Sequence, residues 1–352
     1  MPSFCRHNRF IERCPICSKS LPDNQTGAGS RGRGAGGAGA KRRTAGSSRS
    51  GPGASGARSA SRSAGQRARA ETEQLRVRRE ARAQDDGYRN ALLPGLHASS
   101  DAARLADELA FAAGRLAGLR TAPPDLYGEI RAVARVGELE RACWMCFLTA
   151  YLSPLQGGEP FAGVRMALER GEQPSLEGIP LGPRTSHAPE RGEETLRAYR
   201  HWGAQRVAGA QDGTPAEAFL GEPSWTPQRR FERIFERLAL PGFARMGRYD
   251  LLVTMGQLGL YELEADSLHL TARRGAEPED LTTLGAKRIF GIGEPIYLER
   301  RTRALADALT LELAALDLAF ANWSAPERAT LGFGSDVLDV EVRERARATL
   351  GL

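Results

Sequence analysis

The sequence predicts a mostly α-helical main domain built around helix-hairpin-helix corners, led by a small zinc knuckle and a disordered basic linker. Three observations carry this. In "RRFERIFERLALPGFARMGRYDLLVTMGQLG", Phe231, Ile234, Phe235 and Leu238 recur at i, i+3, i+4 and i+7, and Leu251, Met255 and Leu258 repeat the helical spacing beyond Leu-Pro-Gly. Runs that alternate apolar and polar residues, as strands do, are few, and no internal repeat is found. Ahead of this pattern lie a Cys/His cluster and a long stretch with almost no large apolar residue.

Taken in order, residues 1–20 read "FCRHNRFIERCPICSKS" at their core. Cys5, His7, Cys14 and Cys17 offer three thiolates and one imidazole, a full tetrahedral shell for structural zinc. A closed shell leaves no open position for catalysis, so the expected role is to fold a segment too short for a core. Residues 21–70 carry ten Lys/Arg against the single acid Asp23, a charge of +9 in a chain of net +6, so the remainder stands at −3. This Gly/Ala/Ser/Arg-rich segment is expected to be a disordered arm that attracts phosphate backbones without reading sequence. Since 46 of the 49 basic residues are arginine, an inert solvated linker enriched by composition is the competing reading. Residues 71–122 are charged or Ala/Leu-rich and predict a helical extension, and 123–352 form the main domain.

Several classes are excluded. The longest apolar run, "ACWMCFLTAYL", falls well short of the ~18 residues that span a bilayer. "MPSFCRHNRF" lacks the apolar core of a secretory signal, and five cysteines in 352 residues suggest no disulfide framework. A cytoplasmic, nucleoid-associated protein is expected, with no membrane and no protein partner.

The residues that could do chemistry lie in the main domain. Cys143 and Cys146, in "CWMC", sit at i and i+3 of an apolar helix and are expected to be buried free thiols; a four-cysteine metal site with the N-terminal pair is the rival. That helix breaks at Ser153-Pro154. Thr226 and Pro227 open the next amphipathic helix as N-cap and first-turn residue. The corner that follows contains Leu240, Pro241, Gly242, Ala244 and Arg245, and Gly242 can take positive φ and bring bare backbone against a ligand. A second corner, "FGIGEP", places Gly291 and Gly293 between helical runs. Three carboxylates follow or flank these corners: Asp266, twenty-four residues past Gly242; Asp317, twenty-six past Gly291; and Asp250, inside the helix after the first corner.

The Ser153-Pro154 segment resembles the pocket-lining Leu-Ser-x-Gln-type helix of helix-hairpin-helix DNA glycosylases. In that superfamily Leu-Pro-Gly-x-Gly is followed a little over twenty residues later by a catalytic Asp, a spacing that Asp266 and Asp317 both fit. Asp266 is favoured because the second corner lies about 140 residues past the Ser153-Pro154 helix, long for this fold, and Asp250 is a third carboxylate. The resemblance implies hairpin amides gripping a DNA phosphate, a nucleotide rotated out of the stack, and a carboxylate facing the cationic sugar as the base departs. Trp144, Tyr151, Trp202 and Tyr249 are the aromatic residues near these segments that could wall the base pocket. Two departures are plain: Ala244 replaces the second hairpin glycine, and Met246 replaces the lysine that forms a Schiff base in bifunctional members. The segments "CWMCFLTAYLSPLQ", "HWGAQRVAGAQDG", the first corner with its flanks, and "AKRIFGIGEP" together resemble the alpha-glutamyl/putrescinyl thymine pyrophosphorylase family, which implies DNA with modified bases as substrate. The expected activity is cleavage of a modified pyrimidine's N-glycosidic bond. The alternatives are displacement of pyrophosphate from a modified thymine and DNA binding without catalysis.

If the N-terminal ligands form one site, the purified protein holds about one zinc per chain, and Cys14→Ser releases it while the main domain stays folded. Metal analysis of both proteins checks this, and zinc retained after deletion of residues 1–20 would assign it to Cys143 and Cys146.

Overall fold

Two helices that are apolar on every side become the centre of the domain, because a helix without a polar face has to be enclosed. In the computed structural model, which describes residues 83–171, 173–206, 213–271 and 280–352, these are α3 (Leu139–Leu152) and α11 (Leu313–Ser324). Every residue from Ala142 to Leu152 and from Ala314 to Trp323 is buried. Around α3 lie α2 (Asp125–Arg135), α4 (Ala162–Glu169), α6 (Pro215–Leu220) and α8 (Arg245–Leu258); around α11 lie α1 (Ser99–Thr121), α9 (Leu281–Phe290) and α10 (Pro295–Leu309). The set is completed by α5 (Gly192–Arg206), against α6, by α7 (Pro227–Arg237), against α8, and by α12 (Val340–Leu350), against α1. The fold is mostly helical, and among the described residues there is no strand and no helix long and apolar enough to cross a membrane.

The described residues all fall within one unit, Gly65–Leu352. Within it α1, which covers residues 99–121 of the expected 71–122 extension, packs on α11 and α12. The expected zinc ligands Cys5, His7, Cys14 and Cys17 and the expected basic arm lie outside the described residues.

Local chemistry sets the helix ends that matter for the site. Thr226 Oγ1 accepts from Arg229 N at 3.2 Å with Pro227 in the first turn, as the sequence predicts for α7. Phe231, Ile234 and Phe235 form its buried stripe. At α9, Asp280 accepts from Thr283 N at 2.9 Å, and the helix ends on Gly291 in the left-handed region.

The connection after α8 carries His269, whose ring stacks on Phe235 with centroids 3.9 Å apart. Burial, with added repulsion from Arg245 and Arg248, lowers its pKa from 6.5 to about 4. A histidine that resists protonation only when folded contributes stability that is full above pH 6.5 and is lost as pH falls towards 4. Its backbone is left-handed, φ 52°, so His269→Asn, which tolerates that conformation, isolates the titration. The variant is expected to be less stable at pH 7 and to show a shallower fall in urea midpoint between pH 6.5 and 4.5.

Candidate functional site

The two expected corners exist as helix pairs joined by short turns: α7 to α8 through residues 238–244, and α9 to α10 through residues 291–294. Their surroundings differ. Gly242 has φ 70°, the conformation its sequence context calls for, but a Cβ there would lie 2.5 Å from Thr195 Oγ1 and 3.2 Å from Arg191 Cβ. Thr195 also donates to Pro241 O at 2.6 Å. The first turn is therefore clasped by the start of α5, with Pro241 and Ala244 exposed and Leu240 half-buried. In the second turn Gly291 backs onto Gly95, 3.3 Å from its Cα to the position of an added Cβ, whereas a Cβ on Gly293 would meet nothing within 4 Å. Among the described residues no acceptor engages the backbone N–H of Ile292, Gly293, Glu294 or Ile296. Gly293, Glu294 and Ile296 are exposed and Ile292 is half-buried, at the start of a helix, where a partial positive charge gathers.

Behind the turns, ionised side chains are joined out of water. Arg184, 1% exposed, binds Asp250 through Nε and Nη2, both at 2.9 Å, and reaches Asp317 Oδ2 at 2.8 Å. Asp317 Oδ1 accepts from Arg245 Nη2 at 2.6 Å. Arg245 continues to Asp280 at 3.1 Å, to Thr282 Oγ1 at 3.0 Å and to Leu268 O at 2.7 Å. Burial by itself disfavours both guanidinium charges, but the surrounding aspartates more than offset it and hold both pKa values above the ordinary range. The result is an alternating chain Asp250, Arg184, Asp317, Arg245, Asp280. It connects the loop before α5 with α8, α11 and the N-cap of α9.

The sequence-derived candidates fall into separate places. Asp317 is committed to two arginines, and Arg245, named with the first hairpin as a DNA contact, is turned into the core. Asp250 lies at the end of the ion chain and lines a cavity of about 10 Å³ with Arg115, Thr149 and Ser153. Asp266 is at the surface, 2.9 Å from Arg303, both side chains being more than half exposed. Tyr151 is buried and shares a hydrogen bond of 3.1 Å with His187 Nδ1. Trp202 donates to Arg237 O at 3.0 Å. Tyr249 lies between Phe231 and Phe235 with its hydroxyl unpartnered, and burial raises its pKa. Of the four aromatics, Trp144 lines a larger cavity, about 750 Å³, shared with Glu138, Glu140, Glu169 and Arg200, whose guanidinium stacks 4.2 Å from the indole. Cys143 and Cys146 are buried free thiols. Burial pushes Cys143 up to about 12 even though it contacts Tyr261 Oη at 3.2 Å, and it pushes Cys146 well above its ordinary value.

Arg184 and Thr195 were not legible beforehand. Arg184 sits in "LGPRTSHAPE", which has no periodicity, and Thr195 is one threonine on a charged helix.

This arrangement defines a mostly helical domain whose two corners share one buried ion chain. Residues 199–331, from within α5 to just beyond α11, match the family model for alpha-glutamyl/putrescinyl thymine pyrophosphorylase clade 3, so the resemblance expected from the sequence is borne out over that segment. No curated protein and no solved structure matches the chain.

The ion chain and the surface pair differ sharply in what they contribute. Removing one partner of a buried pair costs roughly 3–5 kcal/mol, whereas an exposed pair is worth about 0–1 kcal/mol. Asp317→Ala is therefore expected to lower the unfolding midpoint steeply, and Asp266→Ala barely to change it. Urea titrations of the two variants check this, and equal midpoints would show that the buried chain is energetically idle.

Proposed function

We propose that this protein acts on a modified thymine in DNA, displacing pyrophosphate in favour of a nitrogen nucleophile, a reading supported by the matched family's name, which joins thymine, pyrophosphorylase and the glutamyl and putrescinyl groups. The observation that carries the reading is the extent of the match, which takes in both corners, the ion chain except Arg184, and Asp266. In such a displacement a nitrogen lone pair forms the new bond to the thymine substituent carbon. The carbon–oxygen bond breaks, pyrophosphate leaves with the electron pair, and the attacking nitrogen gives up one proton to solvent. Guanidinium groups suit that departing charge, since they hold phosphate oxygens bidentately without losing their proton.

The second turn supplies the grip on DNA: unbonded amides at Ile292, Gly293 and Glu294 reach a phosphate oxygen, and the open space at Gly293 allows the backbone to approach it. The first turn, with Leu240, Pro241, Gly242 and Ala244, supports the second. The basic arm adds attraction that does not depend on sequence, and the N-terminal knuckle holds zinc. Hydrolysis of the glycosidic bond by Asp266 is the weaker reading, because a carboxylate in water beside Arg303 stabilises a cationic sugar poorly.

The test is to incubate the full-length protein with duplex DNA carrying a pyrophosphorylated thymine and an amine. Release of pyrophosphate with an amine-linked base is expected. Abasic sites would replace this reading with hydrolysis, and then Asp266→Asn should abolish them. Gly293→Val should weaken duplex binding by about tenfold (1.4 kcal/mol) with folding unchanged, while Gly242→Val should destabilise the fold through its clash with Thr195.

A further inference from the structure

Exposed large apolar side chains are scattered singly over most of the described surface, at Val136, Leu181, Leu220 and Val340, and single ones need no explanation. Ile296 and Tyr297 are the exception. They are adjacent, 71% and 55% exposed, and they occupy the first turn of α10, directly after the open Gly293 turn. Tyr297 lacks a hydrogen-bond partner for its hydroxyl among the described residues. One helical turn further on, at the i+3 and i+4 positions that share their face, stand Arg300 and Arg301, both exposed. No described residue pairs with the Arg300 side chain, and Arg301 reaches only Ala91 O at 3.4 Å.

The charge around this pair favours a polyanion. From Lys287 to Asp307 there are five basic residues, Lys287, Arg288, Arg300, Arg301 and Arg303, against Glu294, Glu299 and Asp307, and Arg303 is already paired with Asp266 at 2.9 Å. Glu299 is turned inward, accepting from Leu268 N at 3.0 Å and Leu270 N at 2.7 Å. The face thus presents unbonded amides, then an aliphatic and an aromatic side chain, then two guanidinium groups.

We infer that Ile296 and Tyr297 form an apolar wedge that enters the DNA duplex beside the base being processed. The inference rests on the reading of the protein as DNA-acting and adds what that reading leaves open, namely what fills the stack when a base is withdrawn. A phosphate held at the Gly293 turn anchors the strand one residue spacing from Glu294 and places the next two free side chains, at 296 and 297, against the groove. Proteins that kink DNA insert Ile, Leu, Phe or Met between base steps in this way, and an aromatic ring stacks on any base without regard to sequence. Arg300 and Arg301 then lie along the flanking phosphates. A tyrosine and an isoleucine kept in water at the mouth of a phosphate-binding turn are otherwise a solubility liability without return.

The experiment uses full-length protein and duplexes carrying the fluorescent base analogue 2-aminopurine next to a modified thymine, with an unmodified duplex as control. Unstacking on binding brightens the analogue. Wild type should raise its fluorescence several-fold. The double variant Ile296→Ala/Tyr297→Ala should lose most of that rise, while its duplex affinity stays within about threefold (0.7 kcal/mol) and its salt dependence is unchanged. Tyr297→Phe should keep the rise, because stacking needs the ring and not the hydroxyl. Both side chains are exposed, so the thermal midpoints should agree with wild type.

A double variant as bright as wild type overturns the wedge and leaves the DNA reading standing. So does a double variant whose affinity collapses together with its salt slope, since the two residues would then serve phosphate binding. A shift in oligomeric state with unaltered fluorescence assigns the face to a protein partner and also overturns the wedge. If wild type binds neither duplex, it is the DNA reading itself that has failed.

Discussion

The fold depends on the placement of Asp317 between Arg184 and Arg245. Ionised groups taken out of water lose hydration worth many times the net stability of a domain, and only close, well-directed partners restore it. Asp317 uses one carboxylate oxygen for each arginine, at 2.8 Å and 2.6 Å, and so tolerates little displacement of either. Arg245 opens α8, Asp280 caps α9, and Arg184 comes from the loop that covers the end of α3 through Arg184 N to Ser153 Oγ at 3.3 Å. Four parts of the chain that share no helix are thereby fixed in one register. Apolar packing alone would allow the helices to slide, because methyl groups have no preferred direction.

That register makes the two corners unequal. Arg245 stands at the first helical position after the Gly242 turn, and its commitment to Asp317 draws that end of α8 inward. The turn beside it then meets α5, where Thr195 fits because Gly242 has no side chain. The second turn is anchored from behind, by Asp280 at the start of α9 and by Gly95 against Gly291, so its front stays open. One turn is thus clasped against α5 while the other keeps its front open, a difference that follows from the direction in which one arginine points.

Much of this was legible in the sequence and some was not, for identifiable reasons. The helical character, the Thr226 cap, the buried stripe of Phe231, Ile234 and Phe235, and both corners follow from period and capping chemistry, which are local. Arg184 and the inward turn of Arg245 depend on contacts more than sixty residues apart, as between Arg184 and Asp250 or Asp317, and no local rule encodes such pairings. Motif spacing ranked Asp266 above Asp317 because counting residues measures distance along the chain, whereas burial separates a carboxylate enclosed by arginines from one in water. The aromatics were ambiguous for a related reason: Trp144, Tyr151, Trp202 and Tyr249 have the same composition as pocket walls and as core, and the structure encloses all four.

The distribution of charge carries the last step. Asp250, Asp280 and Asp317 are each held by an arginine, so the carboxylates nearest the corners are already neutralised by structure. Asp266 is the accessible candidate, and it shares the surface with Arg303, where water weakens any field it could direct at a sugar. The outer face of the second corner, by contrast, presents bare amides and arginines, groups that attract phosphate and stabilise negative charge as it forms. A reaction whose difficult charge is a positive sugar calls for an enclosed anion. A reaction whose difficult charge is a departing pyrophosphate calls for donors and cations, and this surface is rich in both. The division of labour between buried carboxylates and exposed cations therefore favours group displacement over base excision.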